Sequence, residues 1–190
     1  KMKVIQLHQE EKQLIMLAVE NNRQAQQQIY AKFSSKMLSV CRQYIKDIHH
    51  AEDVMITGFM KVFTNLKNFE HKGSFEGWIR RIMVYECIDF LRVKKNNFNH
   101  QDIDDVTVSE NESVYEMEDF SVDDIQNMID NLPDGYKMVF NLYAIEGYKH
   151  QEIAEMLKIS EGTSKSQLSH ARKLLQQQIT DLKNKLNGTK

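Results

Sequence analysis

Proline, glycine and cysteine are scarce in this 190-residue chain, which has one Pro, seven Gly and two Cys. That leaves too little turn chemistry for the many tight connections of a sandwich or barrel, so an all-α fold is expected. Cys41 and Cys87 stand in no CxxC or Cys/His spacing, which argues against a disulfide framework or a zinc site and fits a reducing cytoplasm. No apolar run approaches the roughly 20 residues that span a bilayer, so no membrane insertion is expected. Gly-rich phosphate loops, GxSxG and HExxH are also missing. The expectation is therefore no enzyme, no cofactor and no small-molecule substrate. His49 and His50 stand near Glu52 and Asp53, but adjacent histidines point in different directions on a helix, so no metal is expected either.

A strong charge of one sign is absent only in the total. The chain carries 25 Lys and Arg against 27 Asp and Glu, a net of −2, which by itself argues against a nucleic-acid binder. By segment, residues 1–101 hold 16 basic and 10 acidic residues (+6), residues 102–124 hold ten acids and no Lys or Arg (−10), and residues 125–190 hold nine against seven (+2). The near-neutral total describes no part of the molecule.

Apolar residues recur at helical spacing in four stretches of the first half. Leu14, Leu17 and Ala18 mark the first; Ile29, Phe33, Met37, Val40, Cys41 and Tyr44 mark the second. In the third, Ala51, Val54, Gly58, Phe59, Val62, Phe63 and Leu66 form one stripe, leaving Glu52, Asp53, Thr57, Met60 and Lys61 on the other side. The fourth runs from Phe75 through Trp78, Ile79 and Ile82 to Leu91, with Ser74 as its N-cap. These imply two small helical domains: 1–95, then an acidic flexible linker over 96–120 with too little apolar surface to offset ordering entropy, then 121–190. In the second domain, Ser121 caps a helix holding Val122, Ile125, Ile129 and Leu132, and Pro133 stops it. Asp134 caps the next, through Val139, Phe140, Tyr143 and Ala144, with Gly147 at its end. A helix over 151–157, a turn over 158–162 containing Gly162, and a long helix from about Thr163 make a helix-turn-helix unit.

Two constellations carry functional chemistry. On the last helix, Leu168, Ala171 and Leu175 share a packing face, and the opposite face holds Ser166, Ser169, His170 and Lys173, flanked by Lys165 and Gln167. Lysine neutralises phosphate, while Ser, Gln and His reach base edges or phosphate oxygens. Thr163 and Gly162 would offer backbone N–H groups to a phosphate. Around Trp78, the aromatics Phe69, Phe75, Tyr85 and Phe90 interleave with Lys67, Lys72, Arg80, Arg81 and Arg92, a combination that binds unpaired nucleic acid through cations and stacking rings. Phe75, Trp78 and Ile79 read individually as core. A stand-alone helix-turn-helix regulator, or a helical adaptor that contacts only protein, remains open on these patterns.

Ala51-Glu52-Asp53-Val54, the Phe59, Val62, Phe63, Leu66 stripe, Ser74-Phe75 with Trp78-Ile79 and Arg81-Ile82, and Ile88-Asp89-Phe90-Leu91-Arg92 resemble region 2 of extracytoplasmic-function (ECF) sigma factors. Leu132-Pro133, Glu152-Ile153-Ala154, Ile159 through Thr163 and Lys165-Ser166 through Arg172 resemble region 4 of the same family. The resemblance implies a subunit of bacterial RNA polymerase, acting in the cytoplasm, that recognises promoters and melts them. Glu52, Asp53, Thr57, Met60 and Lys61 would dock on the coiled coil of the largest polymerase subunit. Lys67, Asn68, Phe69, Lys72, Ser74, Trp78, Arg80, Arg81, Tyr85 and Arg92 would serve the −10 element. Thr163, Lys165, Ser166, Gln167, Ser169, His170 and Lys173 would serve the −35 element, with this domain seated on the polymerase flap. The linker would run through the RNA exit path, and an anti-sigma factor is a further partner the family allows. The chain departs from the family pattern at Ile56, Thr57, Tyr85, Ser164 and Gln167, where Gln, an acid, Asn, Val and Arg are common.

Overall fold

The computed structural model describes the backbone of residues 2–97 and 121–187, and the side chains of residues 9–93 and 121–185. Within these residues the secondary structure is helical and contains no strand. The chain divides into two units, Lys1–Val93 and Lys94–Lys190. Most of the expected linker, from residue 98 to 120, lies outside the described residues.

The first unit contains α1 (Met2–Val19), α2 (Arg23–Tyr44), α3 (Ile48–Asn65) and α4 (Phe75–Asn97), with a single 3-10 turn at Leu66–Asn68 after α3. Local chemistry sets the starts. Asn22 Oδ1 accepts hydrogen bonds from the N–H groups of Gln24 and Ala25, and Asp47 Oδ1 accepts one from His50 N at 3.0 Å, each satisfying donors that a helix leaves unpaired. That hydrogen bond, with His50 and His49 nearby, holds the Asp47 carboxyl below its ordinary range.

The α2 and α3 stripes bury as their spacing predicts: Ile29, Phe33, Met37, Val40, Cys41 and Tyr44 from α2, and Ala51, Val54, Phe59 and Val62 from α3. The α1 stripe has a different phase. Ile15 and Ala18 are buried, whereas Leu17 is 39% exposed, so the expected role of Leu17 is corrected. Two apolar neighbours in sequence leave the phase of a short stripe undetermined until a partner helix chooses one. α4 packs against the others through Phe75, whose ring lies edge-on to Phe33 with centroids 5.7 Å apart, and through Met83, which closes over Gly58 so tightly that a Cβ there would collide with its sulfur.

The second unit contains α5 (Val122–Asp130), α6 (Asp134–Phe140), a π turn (Asn141–Ile145), α7 (His150–Leu157) and α8 (Glu161–Asn187). Ser121 starts α5 with a reciprocal capping box: its Oγ accepts from Asp124 N and its N–H donates to Asp124 Oδ2, both at 3.1 Å. Asp134 does not cap α6. It is the first helical residue, and the cap position falls to Pro133 without a side-chain bond. α6 is enclosed on nearly all sides, burying Tyr136, Lys137, Met138 and Val139. The single apolar stripe expected there does not apply: Leu142 is buried, while Tyr143 and Ala144 are exposed at the far end. Gly147 takes a left-handed φ of 77° after the turn, as its place in the sequence suggested.

The connection between α7 and α8 also differs from expectation. Gly162 lies within the first turn of α8, and Lys158, not glycine, supplies the left-handed residue with φ 57°. Ser160 caps α8, its Oγ accepting from Thr163 N at 2.9 Å. α8 packs across α5, α6 and α7, with Leu132, Tyr136 and Ala171 in the core and Phe140, Leu174 and Leu175 packed against it.

Candidate nucleic-acid interface

At 100° per residue, Trp78, Arg81, Tyr85 and Arg92 fall on one strip of α4 about 60° wide. Trp78 is half-buried, stacked on Phe75 with centroids 5.9 Å apart and planes at 15°. Arg81 is exposed and lies over the Tyr85 ring at 5.9 Å. Tyr85 is exposed, and the Arg92 guanidinium pairs with Asp89 at 2.9 Å. Arg80 is not part of this strip: helix geometry turns it about 130° from the strip's centre, and it is half-buried.

The loop before α4 leads into that strip. Leu66 and Phe69 are both buried, and the Phe69 ring contacts Phe75 at 5.1 Å, Trp78 at 5.5 Å and His71 at 4.7 Å. Phe69 is therefore part of the packing under the loop, a different place from the contact surface expected of it. Lys67, Asn68, Lys72 and Ser74 are exposed. The Ser74 hydroxyl accepts from Gly77 N at 3.0 Å, so it is committed to the helix cap, and Lys72 pairs with Glu70 at 2.7 Å. His71 and Gly73 both have left-handed φ, 57° and 89°, which folds the loop back on itself.

The outer face of α3 carries Glu52, Asp53, Thr57, Met60 and Lys61, all exposed. Its polar groups are partly engaged within the unit: Thr57 Oγ1 donates to Asp53 O at 2.9 Å, and Lys61 pairs with the buried Glu86 of α4. Ile56 and Met60 remain as exposed apolar side chains one turn apart, 49% and 66% exposed.

On α8, the outward face comprises Lys165, Ser166, Ser169, Arg172 and Lys173, with Lys165 bridged to Glu161 at 2.7 Å. Arg172 went unassigned in the sequence reading, although its spacing of seven from Lys165 and three from Ser169 places it there. Gln167 and His170 lie toward α6 instead: the Gln167 amide covers Gly135, and the His170 ring stacks on Tyr136 at 5.4 Å and 12°. Thr163 Oγ1 is 2.8 Å from the capping Ser160 hydroxyl. Ser164 is completely buried. Among the described residues no group of three or more metal-ligating side chains gathers, and no helix is long and apolar enough to cross a membrane.

The family model described as Sigma-70 region 2 matches residues 29–97, and that described as Sigma-70, region 4 matches residues 122–175, together about two thirds of the chain. This chain belongs to the sigma-70 family. Among its relatives, the ECF RNA polymerase sigma factor SigW of Bacillus subtilis is 29% identical over 163 residues, covering 79% of this chain and 86% of that protein. The ECF RNA polymerase sigma-E factor of Haemophilus influenzae is 24% identical over 169 residues, covering 81% and 87%. Among solved structures, the sigma factor RpoE, in complex with the anti-sigma factor NepR from Bartonella quintana, shares the fold with a TM-score of 0.53 at 18% identity, over 81% of this chain and 96% of that one. CnrH, in complex with the cytosolic domain of CnrY, does so with a TM-score of 0.51 at 19% identity, over 90% and 97%. In sigma-70 terms, the α4 strip lies within region 2 and the outward face of α8 within region 4.

Proposed function

We propose that this sigma factor binds core bacterial RNA polymerase and directs promoter-specific initiation, with its two units dividing the work. The observation that carries the reading is the α4 strip, where cations and aromatic rings alternate along one helical face. Unpaired bases stack on such rings for about 1–3 kcal/mol each, which offsets the few kcal/mol needed to unstack a duplex step. Trp78, Arg81, Tyr85 and Arg92, with Lys67, Asn68 and Lys72 from the loop, meet the melted −10 strand. Lys165, Ser166, Ser169, Arg172 and Lys173 meet the −35 duplex. Glu52, Asp53, Thr57, Met60 and Lys61 form the polymerase contact on α3, with Ile56 adding apolar area. The protein acts as a regulator in the cytoplasm with no reaction of its own, and an anti-sigma protein of the kind bound to its solved relatives is a further partner.

Transcription in vitro from a randomised promoter library, with core polymerase and the full chain, tests this reading. Promoter-specific starts are expected, and their absence with a folded protein overturns it. Within that assay Arg81→Ala is expected to reduce open-complex formation about tenfold or more through lost phosphate and stacking contacts, whereas Arg80→Ala has a smaller effect. Equal effects would remove the α4 strip as the melting surface.

Salt dependence checks the second unit separately. Each phosphate neutralised on duplex DNA contributes about 0.9 to the slope of log affinity against log salt. The double substitution Lys165→Gln with Lys173→Gln is expected to lower the slope of holoenzyme–promoter binding by about 1.8. An unchanged slope would mean that α8 does not face the phosphates.

A further inference from the structure

The first turns of α8 are joined to α7 by a contact between two side chains that stand outside the proposed DNA surface. Ser164 is fully buried, and its Oγ lies 2.9 Å from Nδ1 of His150, the first residue of α7. The His150 ring stacks on Tyr143 of the π turn at 4.7 Å and 22°, and the Arg172 guanidinium lies over the same tyrosine at 5.8 Å. Tyr143, His150 and Ser164 therefore connect three successive elements of the helix-turn-helix unit.

We propose that His150 is a positioning residue for −35 recognition: by holding Ser164 it fixes the rotation and height of α8, and so the reach of Lys165, Ser166 and Ser169. This rests on the reading of α8 as the −35 helix. Leu168 and Ala171, the other buried residues of α8 among those described, are apolar, and their packing sets the approach of the helix by shape without a directional bond. A hydrogen bond between buried groups has a defined length and angle, and a buried hydroxyl without its partner is destabilising. A buried serine is explained by a partner, and His150 is the partner within reach.

The surroundings of the ring favour its neutral form. The charged groups facing the ring are Lys165, Arg172 and Glu161 of α8, with Tyr143 the titratable group of the π turn. Burial and then Lys165 disfavour the imidazolium; Glu161 favours it and Arg172 again opposes it, leaving His150 below its ordinary value of 6.5. The neutral ring is thus the form the packed arrangement favours. Its contribution is present above the unfolded-state pKa and is lost as pH falls below that value toward the lower folded one.

The test uses the complete holoenzyme on a selected promoter, comparing affinity with the −35 segment intact and randomised. His150→Ala and Ser164→Ala are each expected to reduce this −35-dependent ratio about tenfold, and the double variant to lose no more than either alone. His150→Asn places an amide near the Nδ1 position and does not titrate. It is expected to retain the ratio within about twofold and to lack the parent's fall on the acid side of 6.5, where the lowered His150 pKa lies. Additive losses, an Asn variant as weak as the Ala variant, or the same fall with pH in the Asn variant would overturn the proposal. A parent holoenzyme with no −35 dependence at all would instead overturn the underlying reading of α8.

Discussion

Phe75→Ala is expected to destabilise the first unit by about 3–5 kcal/mol, the cost of removing a fully enclosed phenylalanine ring together with the cavity it leaves. Phe75 is 2% exposed and touches Phe33 of α2 on one side and Phe69 and Trp78 on the other. These neighbours come from three separate segments, so no local shift refills the space. Trp78 is the only tryptophan in the chain, and its fluorescence reports on the cluster directly. Urea unfolding followed at that signal should show a lower midpoint with an unchanged slope, which separates lost stability from a change in compactness. Promoter opening should fall as well, because the same ring supports Trp78 and the start of the α4 strip. A loss below about 1 kcal/mol would show that the cluster collapses around the missing ring and is not the rigid base of the strip.

In the second unit, Asp130→Ala is expected to cost about 3–5 kcal/mol, while replacing both Asp130 and Lys137 by apolar residues of similar volume restores most of it. The two side chains are 1% and 5% exposed, with Lys137 Nζ 3.9 Å from Asp130 Oδ1 and 3.5 Å from Asp130 O. Gln126 Nε2 donates to the same carboxylate at 3.2 Å. Removing the carboxylate alone leaves an enclosed ammonium without the counter-charge 3.9 Å away, and desolvation of a charge is the large term. Removing both members takes the desolvation cost away along with the attraction. The checking measurement is a thermal-unfolding comparison of the single variant with Asp130→Leu/Lys137→Met. The single variant should be the less stable of the two. The reverse order would mean that the Lys137 ammonium left behind is accommodated at little cost.

Neither Asp130 nor Lys137 stands out in the sequence, and the reason applies more widely. Apolar spacing places Ile29, Phe33, Met37 and Tyr44 inside correctly because a half-exposed helix must bury its one apolar stripe. That logic fails for α6, which is enclosed on nearly all sides and carries Lys137 inward with Met138 and Val139. It also fails at α1, where Ile15 and not Leu17 is buried. Caps follow a different rule and were legible where the donor and acceptor are neighbours in sequence, as at Ser74 and Ser121. Asp134 had the right residue type, but Pro133 had already begun the turn and shifted the helix start by one position.

For the proposed interface, residue type and chain order pointed to both candidate surfaces, because cations and aromatics interleave over 67–92 and cations dominate the outward face of the final helix. Three-dimensional packing decided which members of each set face outward. Arg80 falls off the strip that holds Arg81, Phe69 lies under the loop, and Gln167 and His170 turn toward Gly135 and Tyr136. Helical period fixes the angle between two residues of one helix from sequence alone. It does not say from which side another helix approaches.

The sequence by itself determined the all-α class, two helical regions separated by an acidic stretch, and the family, since each depends on residues close together in the chain. Tertiary structure decided the phase of each helix, the enclosed Asp130–Lys137 pair and the His150–Ser164 contact. These depend on residues brought together by packing between helices, where burial makes one hydrogen bond or one charge count for far more than the same groups would in water.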